Sequence, residues 1–162
     1  MRVYLQGYET MAIARSNYAD VWDVYASNPE YFMTHKGRAA RLSDILETFD
    51  RLVDGFDPAK QYFVGFWQND CCVAVLELLP NFPNDGELWL SEIIVHGNHH
   101  GKGLGKKIVA AVLAAAAGFK RIKLGTDEHL IAFWKGLGFN KTHQSEDFIY
   151  FEQEVIYNEG KH

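Results

Sequence analysis

A glycine-rich segment in the second half of the chain constrains the fold more than any other feature. It reads Val95-His96-Gly97-Asn98-His99-His100-Gly101-Lys102-Gly103-Leu104-Gly105-Lys106. A strand-like run precedes it and an alanine-rich, helix-like run follows it. The first N–H groups of a helix lack partners and carry partial positive charge, and glycines let a ligand approach them. The segment therefore predicts a phosphate-binding loop, to which Lys102 and Lys106 add charge.

Two common nucleotide-binding motifs do not fit this loop. A P-loop needs four residues between its first glycine and Gly-Lys-Ser/Thr, whereas only three follow Gly97, and Gly103 stands where the hydroxyl should be. The dinucleotide fingerprint needs the spacing G-x-G-x-x-G, whereas the spacing here is G-x-G-x-G. A nucleotide-phosphate site and a helix-capping turn without a ligand stay open as alternatives.

Composition narrows the class of protein. The chain has 162 residues, 48% of them hydrophobic, which suits a single domain over residues 1–162 and argues against disorder. A net charge of −5 without a basic block argues against nucleic-acid binding. The longest apolar stretch, Ile108 to Phe119, is too short to cross a bilayer, and the first residues lack the apolar run of a signal peptide. We therefore expect a cytoplasmic protein that binds neither nucleic acid nor membrane.

The apolar periodicity predicts an α+β domain, a mixed sheet flanked by helices in the order β-α-α-β-β-β-α-β-α-β-β. The predicted helices cover residues 17–28, 42–53, 106–117 and 128–137. The predicted strands cover residues 3–8, 61–67, 71–79, 87–95, 121–126, 140–144 and 148–157. Turn residues at Asn69-Asp70 and between Pro80 and Gly86 predict antiparallel hairpins in the middle of the chain.

The loop and a second motif resemble those of the GNAT superfamily of acetyltransferases. The family's phosphate loop reads Gln/Arg-x-x-Gly-x-Gly/Ala, and the matching residues here are His100-Gly101-Lys102-Gly103-Leu104-Gly105. The second motif is an aromatic-rich helix that runs into Leu-Gly-Phe, matched by Phe133-Trp134 and Leu137-Gly138-Phe139. The likeness is sharpest over residues 87–139, and the predicted element order agrees over nearly the whole chain.

The resemblance implies that acetyl-CoA, or a related acyl-CoA, is the cosubstrate. Its pyrophosphate would lie on the N–H groups of residues 101–106, and its pantetheine arm beside Ile93-Ile94-Val95, where neighbouring strands splay apart. An N–H near Ile94 or Val95 would stabilise the oxyanion of the tetrahedral intermediate. The coenzyme-binding residues predicted in this way are Ile93, Ile94, Val95, His100, Gly101, Lys102, Gly103, Leu104, Gly105, Lys106 and Trp134.

Three residues depart from the family pattern. His100 stands where Gln or Arg is usual, and it can still donate a hydrogen bond. Trp134 replaces the frequent tyrosine that protonates the leaving thiolate, and an indole N–H is not acidic enough for that task. Asp127 replaces the usual Asn at the start of the same helix. The chain must therefore use water, another residue, or no acid.

Glu92 is the predicted catalytic base. An alkylammonium has a pKa near ~10.4, so a base is needed to free the amine at neutral pH. A carboxylate within the apolar run Leu90-Ser91-Glu92-Ile93-Ile94-Val95 is costly unless it is paired or functional. Simple alternation places Glu92 on the face opposite Trp89, Ser91 and Ile93, and a bulge would reverse this. A structural ion pair is the alternative role.

Other candidates carry weaker signals. Glu87 stands at the entrance of the same strand, and His129 and Tyr150 could face the acceptor. His96, His99 and His100 lie in one loop without a carboxylate, so a metal site is not expected. The aromatic residues Tyr18, Trp22, Tyr25, Tyr31 and Phe32 could line an acceptor pocket, although their helical spacing favours core packing.

These features together predict an N-acetyltransferase in which the amine attacks the thioester directly, because neither Cys71 nor Cys72 is placed for a covalent acyl-enzyme. The acceptor is a small-molecule or peptide amine that the sequence does not identify. A non-catalytic acyl-CoA-binding module is the alternative. Dimers are frequent in the resembling family, so a homodimer is a candidate state.

Overall fold

The computed structural model of the protein describes residues 1–51 and 53–155. Its strands are β1 (Glu9–Ala12), β2 (Tyr62–Gln68), β3 (Cys71–Pro80), β4 (Glu87–Val95), β5 (Arg121–Thr126), β6 (Asn140–Gln144) and β7 (Ile149–Glu154). Its helices are α1 (Trp22–Ala26), α2 (Pro29–Lys36), α3 (Leu42–Asp50), α4 (Leu104–Ala115) and α5 (Ile131–Gly136). The strands form one sheet in the order β1-β2-β3-β4-β5-β7-β6. The predicted mixed sheet with flanking helices is thereby confirmed.

The sheet buries a separate apolar cluster on each face. Helices α4 and α5 cover one face, where Ile108, Val112 and Trp134 pack against the strands. The segment from Tyr18 to Phe49, with α1, α2 and α3, covers the other face, where Tyr25 and Ile45 pack. Because both faces are covered, the central strands β2 and β3 are buried along most of their length.

The sheet opens between strands β4 and β5. Strands β4 and β5 form its parallel pair, and their pairing is limited to Glu87–Trp89 against Arg121–Lys123. Beyond Trp89, β4 stays paired with β3, whereas β5 stays paired with β7. The two strands therefore diverge toward their carboxyl ends, as expected from the resemblance, and leave a gap beside Ile93 to Val95.

A β-bulge in β4 changes which residues face each side of the sheet. The register pairs Leu90 with Leu78 and Glu92 with Glu77, so Ser91 is the extra residue. Before the bulge, Leu88 and Leu90 join the cluster under α4, and after it Ile93 and Val95 pack against that cluster instead. Glu92 and Ile94 consequently face the side of α1, α2 and α3.

The predicted first strand over residues 3–8 is wrong. Val3 and Leu5 are buried, but the chain around them is irregular, and a turn in which Tyr8 N donates to the Leu5 carbonyl follows. Gly7 adopts a left-handed conformation in this turn, so strand pairing begins only at Glu9. The alternation of Val3 and Leu5 reflects packing of an irregular segment over the core.

The predicted N-terminal helices also needed correction. The helix expected over 17–28 is a 3₁₀ turn at Tyr18–Val21 followed by the short α1. Pro29 then begins α2, which the sequence reading missed and which adds a helix to the predicted order. Helix α3 ends at Asp50, before the predicted Gly55, and residue 52 of that prediction lies outside the described residues.

The second half of the chain follows the prediction closely. Strands β4, β5 and β6 have the predicted bounds, and the hairpins β2-β3 and β3-β4 are antiparallel. Helix α4 begins at Leu104 rather than Lys106, and residues 128–130 form a 3₁₀ turn before α5. Strand β7 ends at Glu154, and residues 156 and 157 of the predicted strand lie outside the described residues. No helix among the described residues is long and apolar enough to cross a membrane.

Candidate active site

A cleft of about 560 Å³ occupies the gap between β4 and β5. We call it the cleft throughout. The predicted coenzyme-binding residues that line it are Ile93, Ile94, Val95, His100, Gly101, Gly103, Leu104, Gly105, Lys106 and Trp134. Lys102 is exposed and does not line it. The structure thus brings all but one of these residues to one cavity, and their role in binding a coenzyme stays a prediction.

The backbone of the glycine loop turns sharply into α4. Gly101 and Gly103 have φ values of 73° and 80°, in the left-handed region that side chains disfavour. The first helical hydrogen bond runs from Lys107 N to the Gly103 carbonyl at 3.1 Å. The N–H groups of Leu104, Gly105 and Lys106 therefore precede the helical ladder and are available at the cleft. This is the arrangement in which a helix N-terminus holds a phosphate.

Two side chains hold the carbonyl of Val95 at the end of β4. Asn28 Nδ2 donates to this oxygen at 3.0 Å, and His100 Nε2 lies 2.8 Å from it. Since a carbonyl oxygen only accepts, His100 Nε2 carries the proton in this contact. The side chain of His100 therefore fastens the loop to β4 and does not point its Nε2 at a ligand.

The hydrogen-bond alternation of β4 decides which backbone groups face the cleft. His96 N donates to the Val73 carbonyl, so the pair Val73–His96 is a hydrogen-bonded one. In an antiparallel ladder such pairs alternate, which turns the peptide groups of Ile94 toward β3 and those of Ile93 and Val95 toward the cleft. Of the two N–H groups suggested for the oxyanion, that of Val95 is the one directed at the cleft.

Trp134 is a structural residue at the wall of the cleft. Its side chain is buried, and its Nε1 donates to Thr126 Oγ1 at 3.0 Å. The ring packs edge-on against Phe133 and Phe139. The indole N–H thus forms a hydrogen bond inside the core, which agrees with the expectation that Trp134 does not act as an acid.

A second cavity of about 390 Å³ lies on the α1, α2 and α3 side of β4, and we call it the side cavity. Its inner wall is formed by Glu92, Thr48 and three aromatic residues, Tyr25, Tyr31 and Phe32. Charged residues of α2 and α3 form its rim. The bulge at Ser91 is what turns Glu92 into this cavity.

Glu92 has the electrostatics of a base that works near neutral pH. Burial, and in second place the negative charge of Glu77 on the facing strand, raise its pKa to about 7. The cations Arg51 and Lys36 oppose this rise. No ion pair or hydrogen bond of the Glu92 carboxylate occurs among residues 1–51 and 53–155. A structural ion pair, the alternative role for Glu92, is therefore not formed within that part of the chain.

Tyr31 lies where the two cavities meet. It lines both the cleft and the side cavity, with 41% of its surface exposed. Its ring contacts that of His35 with centroids 4.5 Å apart, and His35 Nε2 lies 3.0 Å from Asp127 Oδ2 at the end of β5. The His35–Asp127 contact thereby links α2 to the end of β5, next to the point where Tyr31 lines both cavities.

The remaining candidates lie elsewhere or are already engaged. Glu87 accepts from Lys123 and Arg121, and although burial opposes its ionisation, these contacts hold its pKa below the usual range. Tyr150 stacks on His143 at 4.3 Å and lines neither cavity. His129 is exposed and also lines neither. Within the described ranges, no group of His, Cys, Asp and Glu side chains could hold a metal ion.

Sequence reasoning missed two residues of the cleft. Asn28 is buried, bonds the carbonyls of Val24 and Val95, and lines the cleft from the start of α2. The helical spacing of Tyr31 predicts a place in an aromatic stripe and does not indicate that it lies near the glycine loop. The sequence signal for both was the Asn-Pro pair at residues 28–29, which is typical of a helix start.

Comparison with known proteins identifies the family of this chain. The sequence model of the Acetyltransferase (GNAT) family matches residues 18–139. No curated protein sequence matches the chain significantly. Among solved structures, an acetyltransferase from Thermus thermophilus has a TM-score of 0.78 at 18% identity, with 96% of this chain and 100% of that chain covered.

Two further structures share the fold at lower identity. The PaiA N-acetyltransferase from Thermoplasma acidophilum, solved in complex with coenzyme A, has a TM-score of 0.63 at 12% identity, covering 91% of this chain and 98% of that one. The ribosomal-protein-S18-alanine N-acetyltransferase from Escherichia coli has a TM-score of 0.65 at 12% identity, covering 91% and 94%. Since the family model spans residues 18–139, most of the sequence, this chain belongs to the GNAT family of acetyltransferases.

Proposed function

We propose that this chain is an acyl-CoA-dependent N-acyltransferase that moves the acetyl group of acetyl-CoA onto a primary amine by direct attack. The observation that carries the proposal is Glu92, a carboxylate without an ion pair in the described chain, which lines the side cavity behind the cleft. A pKa of about 7 lets this group accept a proton at neutral pH and release it again.

Glu92 supplies the base that the reaction needs. At pH 7 only about one alkylamine in a few thousand is unprotonated, because the ammonium pKa is near ~10.4. Freeing the amine therefore costs about 4–5 kcal/mol, and a positioned carboxylate offsets part of this. Glu92 takes the proton from the ammonium, and the nitrogen lone pair then forms the C–N bond to the thioester carbonyl.

Val95 and Tyr31 serve the later part of the reaction. The N–H of Val95, directed at the cleft, stabilises the negative charge on the carbonyl oxygen as the tetrahedral intermediate forms. As the C–S bond breaks, the hydroxyl of Tyr31 donates a proton to the thiolate in place of the missing family tyrosine. The attacking nitrogen loses its second proton as the C–S bond breaks, which restores the proton of Tyr31, so the ammonium and acetyl-CoA become the amide, free coenzyme A and one proton released from Glu92.

The residues of the cleft fit acetyl-CoA in chemistry. The N–H groups at the start of α4 suit a pyrophosphate, and the peptide groups of Ile93 with the N–H of Val95 suit the amides of a pantetheine arm. Lys106 adds a positive charge at the mouth of the cleft. The proposed steps involve only the thioester group, so they are the same for any length of acyl chain.

A non-catalytic acyl-CoA-binding module is the second candidate. The specific observation that favours it is Trp134, whose indole proton is held by Thr126 and which leaves the usual acid position without an acid. Replacing Glu92 by Gln separates the two functions. An enzyme that relies on this base keeps its coenzyme affinity and loses turnover, whereas a binding module shows no turnover in either form.

The first experiment is calorimetric titration of the protein with acetyl-CoA, with ATP and NAD as controls. We expect selective micromolar binding of acetyl-CoA. Gly103→Val should weaken it at least about tenfold, because a β-branched residue disfavours the left-handed backbone at the loop. Gly7→Val, which places the same residue at a remote left-handed glycine, is the matched control and should bind normally. Equal binding of ATP or NAD, or no binding of any acyl-CoA, would overturn the proposal.

A further inference from the structure

The side cavity has one carboxylate that the protein does not neutralise. The charged residues at its rim are joined in ion pairs, namely Arg38–Asp44, Lys36–Glu47 and Arg15–Asp50. Arg51, the remaining rim cation, pairs with the buried Glu77. Among the described residues, Glu92 alone of the cavity carboxylates has no such partner. The cavity therefore has room for one positive charge from a ligand and no unpaired cation to receive a negative one.

The hydroxyl of Tyr25 is a second group that the protein leaves without a partner. Tyr25 is 1% exposed, and its oxygen has no hydrogen bond within the part of the chain that the structure describes. The Thr48 hydroxyl is close to it but lies outside hydrogen-bonding geometry. Tyr25 and Glu92 both line the side cavity, and the charge of Glu92 adds to the effect of burial in raising the pKa of Tyr25. A buried hydroxyl without a partner is costly, and an N–H from a ligand would satisfy it.

The rest of the inner wall is apolar. The rings of Tyr25 and Phe32 lie 5.7 Å apart, and Tyr31 meets Phe32 edge-on at 5.1 Å. Such a wall favours a hydrocarbon or aryl body and attracts a cation through the ring faces. The volume of about 390 Å³ lies at the small end of the range for ligand pockets.

We propose that the side cavity binds a small primary monoamine with an apolar body, whose ammonium group lies between the carboxylate of Glu92 and the hydroxyl of Tyr25. This inference rests on the proposed transferase function and names the class of its acceptor. A polyamine would bring a second cation for which the cavity has no free carboxylate. A free amino acid would bring its carboxylate next to Glu92, where like charges repel.

The test measures both the coenzyme and the amine. Acetyl-CoA binding is measured first on the same preparation, and acetylation is then followed by coenzyme A release and by the mass of the product. The amines are 2-phenylethylamine, n-hexylamine, spermidine, phenylalanine and a lysine-containing peptide. We expect kcat/KM for the first two to exceed that of the others at least about tenfold. Preference for spermidine, phenylalanine or the peptide overturns the inference.

Tyr25→Phe gives a second, independent readout. Removing the unsatisfied hydroxyl should leave the melting temperature unchanged or higher, while the KM for 2-phenylethylamine rises about tenfold or more. A residue with only a packing role would not show this combination. Tyr18→Phe, at a partly buried tyrosine that lines neither cavity, is the matched control and should leave KM unchanged. An unchanged KM in Tyr25→Phe overturns the inference.

The two proposals fail in different ways. If acetyl-CoA does not bind, the proposed function is wrong and the acceptor inference falls with it. If acetyl-CoA binds and turnover is seen with a different class of amine, only the inference about the side cavity is wrong.

Discussion

Glu77 and Glu92 lie directly opposite each other on β3 and β4, and only one of them is neutralised. Glu77 is buried and accepts from both Arg51 and Gln61, whereas Glu92 has no ion-pair partner in the described chain. Two facing carboxylates from which water is partly excluded repel each other, so the pKa of the unpaired carboxyl rises. This arrangement gives Glu92 its near-neutral pKa with burial as the larger cause.

The first prediction concerns the pH dependence of turnover. Glu92 must be ionised to act as a base, so kcat/KM should rise with pH through a pKa of about 7. Glu77→Gln removes the repelling charge and should move this acid limb to lower pH. Arg51→Gln removes a cation that lowers the pKa and should move the limb to higher pH. If the acid limb of kcat/KM moves in the same direction in both variants, or moves in neither, a group other than Glu92 determines its position.

The second prediction concerns stability. The folded pKa of Glu92 lies above its ordinary value of 4.5, so the folded state binds more protons between these pH values, and stability falls as pH rises through that window. Glu92→Gln should therefore be more stable than the parent at pH 8, by no more than ~3 kcal/mol, and equal to it at about pH 4. Urea unfolding at both pH values measures the difference. Greater stability of the parent than of Glu92→Gln at pH 8 would contradict the raised pKa of Glu92.

The third prediction tests Tyr31 as the proton donor to the thiolate. Tyr31→Phe keeps the ring that contacts His35 but removes the hydroxyl, so kcat should fall about 10- to 100-fold. The dissociation constant of acetyl-CoA should change less than about threefold, because the loop and β4 are untouched. Tyr150→Phe, at a tyrosine outside both cavities, is the control. A normal kcat with Tyr31→Phe would assign the proton to water.

The fourth prediction tests the hydrogen bond from His100 that holds the glycine loop against β4. His100→Leu removes the hydrogen bond to the Val95 carbonyl, so the start of α4 should lose its position, and acetyl-CoA binding should weaken about tenfold. His100→Gln keeps an N–H donor and should bind within about twofold of the parent. Calorimetry at pH 7.5 compares the two. If both variants bind equally weakly, the imidazole itself contacts the coenzyme.

The sequence predicted those parts of the fold that local chemistry controls. The bounds of β4, β5 and β6 agree because alternating side chains and flanking turn residues act over a few positions. The loop was readable because Gly101 and Gly103 supply left-handed backbone that other residues disfavour. The N-terminal region agrees less well with the prediction, since its helices are short and α2 begins at Pro29, directly after the predicted end of the first helix at residue 28.

The sequence by itself thus determined the family, the glycine loop and Glu92 as a carboxylate out of place in an apolar strand. Only the tertiary structure decided that Ser91 bulges, that Glu92 consequently turns into the side cavity, and that Glu87 is neutralised while Glu92 is not. It also decided that Tyr31, far from the loop in sequence, lies at the cleft. The physical reason is that register and ion pairing depend on which distant residues meet, whereas a sequence pattern reports only the preferences of neighbours.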